Sequence, residues 1–250
     1  MAPAGPAAGV ALGGRVLLLG NSRWHWAERD GAGGLRCWHQ AAAEAIGAPA
    51  DLIAWAAVGS VPGAAGLPPE RRIGLAQVPL AAAPPWLGID RALAGWWAWQ
   101  QQPEGDRGGV LVADAGTALS VTRVDGSGAF AGGRLLPGVG LQLRSLEAGT
   151  AQLPRLAVDA GLALPPDPWP RETAAAMLRG CLEAAAASIA AAWRDVALTG
   201  ASGDAAAGPW SLWLTGGDGG ALLPLLERQG LPVRWAPELC LEALAALADL

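Results

Sequence analysis

Two apolar runs end in the same unusual way, and they constrain the fold more than any other feature of the chain. RVLLLG (15–20) runs into NSRWHWAE, and VLVADAG (110–116) runs into TALSVTRVD. Each run is long enough for a buried strand, stops at a glycine beside a small hydroxyl residue, and resumes with the two-residue alternation of a hairpin partner. A plain two-residue hairpin would place Asn-Gly or Asp-Gly at its tip. Here the second tip carries Asp114, Gly116 and Thr117, and the first carries Gly20, Asn21 and Ser22. Glycine lets a ligand approach the backbone closely, and turn amides with hydroxyls make good phosphate donors. Two such loops facing each other across a cleft would hold a polyphosphate. Asp114, an acceptor-only group where phosphates would crowd, makes sense chiefly with a cation between them. The recurrence points to two related halves, each a mixed sheet with helices on its faces, although the self-similarity falls short of a strict repeat.

The remaining segments fit that plan. DLIAWAAV (51–58) reads as a buried strand, and 63–85, rich in Pro and Gly, as irregular or short extended pieces. Gly88 precedes a helix expected from Ile89 to Gln102, and PEGDRGG (103–109) is a polar, glycine-rich boundary. This divides the chain into domains 1–108 and 109–250. A third strand is expected over 129–138, helices over Val139–Gly149 and Thr173–Asp195, a strand over 211–217, then a helix over 220–230 and a helical pattern to the end.

Composition removes several classes of function. All 17 positive charges are Arg, so any mechanism that needs a lysine, such as a P-loop ammonium or a Schiff base, is excluded. The net charge of −5, without a basic run, argues against nucleic acid. Gly, Pro, Arg and Asp interrupt every apolar run before the roughly 18 residues of a membrane span, and the first residues lack a basic leader. No membrane partner is therefore expected. Cys37, Cys181 and Cys240 have neither metal nor redox-pair spacing, which suits a reducing, cytoplasmic setting. With His25 and His39 as the complete histidine content, a His-rich metal site is improbable, and both read as hairpin or packing residues.

Three further segments can carry chemistry. In WLGIDR (86–91), Asp90 lies in the first helical turn, where the helix dipole favours a carboxylate. It reads either as an ordinary N-terminal helix acid or as a general base with Arg91 as a fork for a substrate carboxylate. WLTGGDGG (213–220) is either a backbone platform for a nucleotide's base or ribose, or an ordinary turn from strand to helix. Trp96, Trp97 and Trp99 cover several faces of one helix and read as core or subunit contact.

Taken in order, these pieces resemble the type III pantothenate kinase family. LGNSR (19–23) is similar to its first phosphate loop, in the form associated with cyanobacterial members. VGSVP (58–62), GIDR (88–91), DAGTALSVTRVDGSGAFAGGRLLPG (114–138), TAQLP (150–154), Thr173 with Gly180, and LTGG (214–217) follow in register. The resemblance implies an α/β, actin-like ATPase architecture of duplicated RNase-H-like domains, with ATP and substrate in the interdomain cleft of a homodimer. It implies ATP-dependent phosphorylation of pantothenate, the first step towards coenzyme A. Carried over by motif, Asp90 is the general base, and Gly88, Arg91 and Thr173 hold pantothenate. Gly20, Asn21, Ser22, Gly116 and Thr117 meet the phosphates, Asp114 holds a monovalent cation such as potassium or ammonium, and magnesium accompanies ATP. Two positions depart from the family pattern: Leu18 stands where an Asp is usual, and Gly149 where a His is common. Leu18 keeps open an alternative, a non-catalytic nucleotide-binding relative acting as an accessory or regulatory protein.

Overall fold

Alternation along the strands decides which face each side chain takes, and it builds two sheets that share one core. A computed structural model of the protein describes residues 14–30, 34–41, 49–61, 66–104, 107–157, 161–200 and 208–249. Strands β1 (Arg15–Leu19), β2 (Arg23–Arg29), β3 (Leu35–Ala41) and β4 (Leu52–Ala57) form a four-stranded sheet in the order β3-β2-β1-β4. Strands β5 (Gly108–Ala115), β6 (Ala118–Val124), β7 (Phe130–Pro137), β8 (Gly208–Thr215) and β9 (Val233–Trp235) form a second sheet, ordered β7-β6-β5-β8-β9. In both sheets an antiparallel meander is followed by a strand returning parallel to the first, β4 on β1 and β8 on β5. The two halves expected from the paired strand–turn openings therefore share a topology.

Val16, Leu18, Ala54 and Ala56 of the first sheet and Val110, Val112, Val124 and Trp213 of the second belong to one buried cluster. Helices α1 (Ile89–Gln100) and α5 (Leu239–Ala248) supply the rest of it, through Ala92, Leu93, Trp96, Leu239, Leu241 and Leu244. The abundance of Ala and Gly has a packing role here. A Cβ on Gly95 of α1 would come within 3.0 Å of Val124, so the bare backbone lets the helix lie close to β6. The opposite face of β5 and β6, with Leu111, Ala113, Ala115, Leu119 and Val121, is covered by α2 (Val139–Gly149) and α3 (Thr173–Gly200). Helix α4 (Gly219–Arg228) adds Leu222, Leu225 and Leu226 to that cluster. The first sheet's outer face is closed by Leu17, Leu19, Trp24, Trp26, Leu52 and Trp55.

Several expectations shift. Helix α1 ends at Gln100, two residues early, and buried Gln102 instead clamps the start of β5. Its Nε2 donates to the Gly108 carbonyl at 2.9 Å, and its Oε1 accepts from the Gly108 N–H at 3.1 Å. Helix α3 runs on to Gly200 because the alanine-rich stretch that follows Gly180 contains neither proline nor glycine before that residue. The eighth strand begins at Gly208 and stops at Thr215, freeing Gly216 and Gly217 for the turn. The 63–85 region contains two short 3-10 turns, Pro69–Arg71 and Leu75–Gln77, and part of it, like Pro62, lies outside the described residues.

By length and composition α3 is apolar enough to cross a membrane, contrary to the reading of uninterrupted runs alone. Leu182, Ala185, Ala186 and Ile189 show what that apolarity serves, since they are buried against the second sheet and α4. Trp96 is buried, Trp97 donates to Glu242 at 3.2 Å and Trp99 to the Gly126 carbonyl at 3.3 Å, so these indoles serve packing within the chain.

Leu93, fully buried between the two sheets, measures how far the shared core holds the halves together. Leu93→Ala is expected to cost about 2–5 kcal/mol in urea unfolding. A loss below about 1 kcal/mol would contradict a continuous core.

Candidate active site

The same alternation that buries Val110 and Val112 against α1 directs Asp114, two residues further along β5, to that side at the strand's end. There the chain makes tight backbone contacts that leave no room for side chains. The Gly116 N–H donates to the Ala118 carbonyl at 3.1 Å, and Gly138 closes from behind, donating to the Thr117 carbonyl at 3.1 Å. A Cβ on Gly138 would lie 2.0 Å from the Gly116 carbonyl oxygen, so position 138 admits glycine alone. Beyond β8, Gly216 adopts φ +90°, and a Cβ there would sit 2.5 Å from an Asp114 carboxylate oxygen. The next acidic residue, Asp218, donates its backbone N–H to the Ala115 carbonyl at 2.9 Å, which draws the Gly-Gly-Asp turn onto the Asp114 loop.

The first loop meets this assembly from the other sheet. The Gly20 N–H closes the turn on the Arg23 carbonyl at 2.9 Å, and Ser22 Oγ shares a hydrogen bond with Thr117 Oγ1 at 2.7 Å. Residues 95 positions apart thus bring the two loops into contact across the cleft. Gly59, after β4, lies on the Asn21 side, where a Cβ would come within 3.5 Å of Asn21 Oδ1.

Helix α1 delivers Gly88, Asp90 and Arg91. A Cβ on Gly88 would lie 2.5 Å from Asp90 Oδ1, which folds back to accept the Arg91 N–H at 2.9 Å. Arg91 is buried, donates through Nε to Thr122 Oγ1 on β6 at 3.0 Å, and lies over the Phe130 ring at 5.8 Å. Gly133 on β7 makes that pose possible, because a Cβ there would meet an Arg91 guanidinium nitrogen at 2.4 Å. Thr173, by contrast, is exposed at the first position of α3, and none of the contacts of the described residues joins it to Asp90 or Arg91. Gly149 closes α2 with open space around it.

Two neighbouring carboxylates lie close enough to Asp114 to raise its proton affinity. Burial, then the charges of Asp90 and Asp218, push Asp114 up to about 7. Burial pushes Asp218 up to about 6, opposed by Arg23. Burial also raises Asp90, against the hydrogen bond and charge of Arg91. Asp218 is the residue that reading the sequence misses. Its signal is an acid inside a run of glycines, GGDGG, which reads equally well as a backbone platform.

Among the described residues no group of three or more His, Cys, Asp or Glu side chains converges as a metal site by itself. The chemistry of the donor set nonetheless fits a cation, since half-dehydrated like charges around Asp114 are relieved by a positive ion.

A sequence model of type III pantothenate kinase matches residues 72–195. A type III pantothenate kinase of Synechococcus sp. (strain JA-3-3Ab) is 37% identical over 245 residues, covering 94% of this chain and 92% of that protein. The chain belongs to the type III pantothenate kinase family. Another such kinase, from Synechococcus elongatus, is 36% identical over 264 residues, spanning 94% of this chain and 96% of that one. Among solved structures, the ethanolamine utilization protein EutJ from Carboxydothermus hydrogenoformans aligns with a TM-score of 0.50 and 13% identity. The alignment covers 99% of this chain and 91% of that one. At that identity the likeness concerns the fold, and it agrees with the actin-like ATPase architecture.

The raised carboxylates make a stability prediction for the kinase fold. Unfolded carboxylates titrate near 4, whereas Asp114 and Asp218 titrate near 7 and 6 in the folded state. The folded state therefore holds more protons, and the stability these groups contribute is present below about pH 4 and lost as pH rises towards 7. Wild-type protein without cations should lose thermal stability between pH 5 and 8, and Asp114→Asn should flatten that fall. Potassium with Mg-ATP should raise the melting point by about 3–6 °C more at pH 8 than at pH 5. Equal shifts at both pH values would contradict the cation role.

Proposed function

We propose that the protein transfers the γ-phosphoryl group of ATP to the primary hydroxyl of pantothenate, giving 4′-phosphopantothenate in the cleft between the two sheets. The contact between Ser22 and Thr117 carries this reading, because it brings two glycine-rich donor loops to one place beside Asp90 and Asp114. Phosphoryl transfer asks a protein for positioning and charge neutralisation more than for covalent chemistry. Without lysine, the Asn21 amide and the hydroxyls of Ser22 and Thr117 hold the phosphates, while Gly20 and Gly116, whose N–H groups close their own turns, let the phosphates approach the backbone.

Asp90 is the general base. Its burial raises its proton affinity towards the working pH, while Arg91 N–H and the bare backbone of Gly88 fix the carboxylate's rotamer. Arg91, locked by Thr122 and seated over Phe130, offers its remaining guanidinium donors to the pantothenate carboxylate, with Gly88 leaving room for the chain. Thr173 is a further contact for pantothenate at the start of α3. Asp114 holds a monovalent cation, potassium or ammonium, which supplies fixed positive charge beside the phosphates, and magnesium arrives with ATP. Leu18 offers no carboxylate to the metal, so its coordination would fall to water, phosphate or another residue.

The lobes are 1–108 and 109–250, with α5 returned to the first sheet's core. We take the active form as a cytoplasmic homodimer, in keeping with the free thiols of Cys37, Cys181 and Cys240 and with the exposed apolar side chains of Trp86, Leu135 and Trp169.

Asp90→Asn should lower kcat by at least 10²-fold with little change in ATP affinity, as removal of a general base does. Thr122→Val, which removes the acceptor that holds the Arg91 guanidinium, should raise KM for pantothenate by roughly tenfold and leave KM for ATP alone. Steady-state kinetics with each substrate varied in turn checks both. Undiminished turnover by Asp90→Asn would remove Asp90 from the role of base.

A further inference from the structure

The two histidines, which read from sequence as packing residues, form a hydrogen-bonded chain leading from the surface to the first loop. His25 on β2 faces His39 on β3 in register, and their Nδ1 atoms are 2.9 Å apart. His39 Nε2 lies 3.3 Å from the Glu238 carboxylate, next to the start of α5. The far edge of His25 reaches the loop itself, since a Cβ on Gly20 would come within 3.1 Å of His25 Nε2. Around the pair, β1 contributes the apolar cross-strand neighbour Leu18, β2 contributes Arg23, and α5 contributes Glu238. Further along α5, Glu242 accepts from Trp97.

An Nδ1 to Nδ1 contact at 2.9 Å requires one proton between the rings, and that proton links the two ends of the chain. With His39 neutral and its Nε2–H given to Glu238, His25 must donate from Nδ1 and turn a bare Nε2 lone pair on the loop. With His39 doubly protonated, it donates to both Glu238 and His25, and His25 then presents Nε2–H to the loop. An anion in the loop favours the second arrangement. We propose that His25, His39 and Glu238 are a positioning relay for the first phosphate loop, presenting an imidazole N–H when a phosphate anion occupies it, with the balancing proton taken from solvent onto His39. This rests on the loop being a nucleotide phosphate site. Burial, then the neighbouring charges of His39 and Arg23, push His25 down to about 4, which keeps its ring neutral.

Calorimetric titration of the full chain with a non-hydrolysable ATP analogue and magnesium, near pH 7 in buffers of different ionisation enthalpy, tests the relay. Set against His39→Gln, wild type should take up an additional fraction of a proton on binding, and its roughly tenfold affinity advantage over that variant should shrink as pH rises. Imidazole nitrogen shifts in NMR should report His25 moving to the Nε2–H tautomer on binding. Two changes at His25 separate relay from packing. His25→Gln retains a donor at the Nε2 position and should bind nearly as wild type, whereas His25→Asn keeps the His39 contact but falls short of the loop and should weaken binding. Equal proton uptake by wild type and His39→Gln, equal nucleotide affinity of the two, or equal binding by His25→Gln and His25→Asn would each overturn the relay. Proton-linked nucleotide binding without pantothenate phosphorylation would instead overturn the kinase reading and leave the relay standing. No nucleotide binding at all would overturn both.

Discussion

The parallel pairing of β5 with β8 places Asp114 beside Thr215, and the chemistry of the cleft follows from how tightly the backbone then closes on that carboxylate. Gly216 presses against one oxygen in a left-handed conformation, Asp218 is drawn in by the Ala115 carbonyl, and Gly138 seals the turn from the far side. The result is a half-buried acid next to other acids, an arrangement that costs stability until a positive charge arrives. The chemistry of such a site fits a positive ion, in keeping with the cation we propose at Asp114. That cost is tolerable because β5 is otherwise fully apolar and buried on both faces.

Helices α1 and α5 transmit this arrangement between the sheets. Both lie in the core shared by the two halves, and each carries polar groups at its N-terminal end, Asp90 and Arg91 on one and Glu238 on the other. Cys240 of α5 donates to the Asp90 carbonyl at 3.5 Å, so the two helix starts touch behind the cleft. Arg91 is tied to β6 through Thr122 and Glu238 to β3 through His39. A change of the angle between the sheets would therefore alter the substrate fork and the first loop together.

Much of this was legible in the sequence, for reasons that lie in particular residues. The strand–glycine–hydroxyl openings at 15–22 and 110–117 suggested two related halves because the same pattern occurs twice, whereas one such turn alone is usually structural. Asp90 at a helix start reads from its own residues as an ordinary helix acid or as a base, and only the resemblance of Gly-Ile-Asp-Arg to the family motif picks the second. Edge strand β3 was not, because LRCWHQA is half-exposed and lacks a clean alternation. Strand β9 has three residues, too few for any period. Asp218 hid among glycines whose backbone alone could explain them. The His25–His39–Glu238 chain joins β2, β3 and α5, and no spacing along the sequence announces a contact across some 200 residues.

The central claim is that these loops and carboxylates move phosphate to an alcohol and not to water. Phosphorus NMR of the purified protein with ATP, magnesium, potassium and pantothenate follows every product at once. The account predicts a pantothenate phosphate monoester growing in step with ADP, with no accumulation of inorganic phosphate. ADP and inorganic phosphate without the monoester, or no consumption of ATP by folded protein that binds it, would contradict the account.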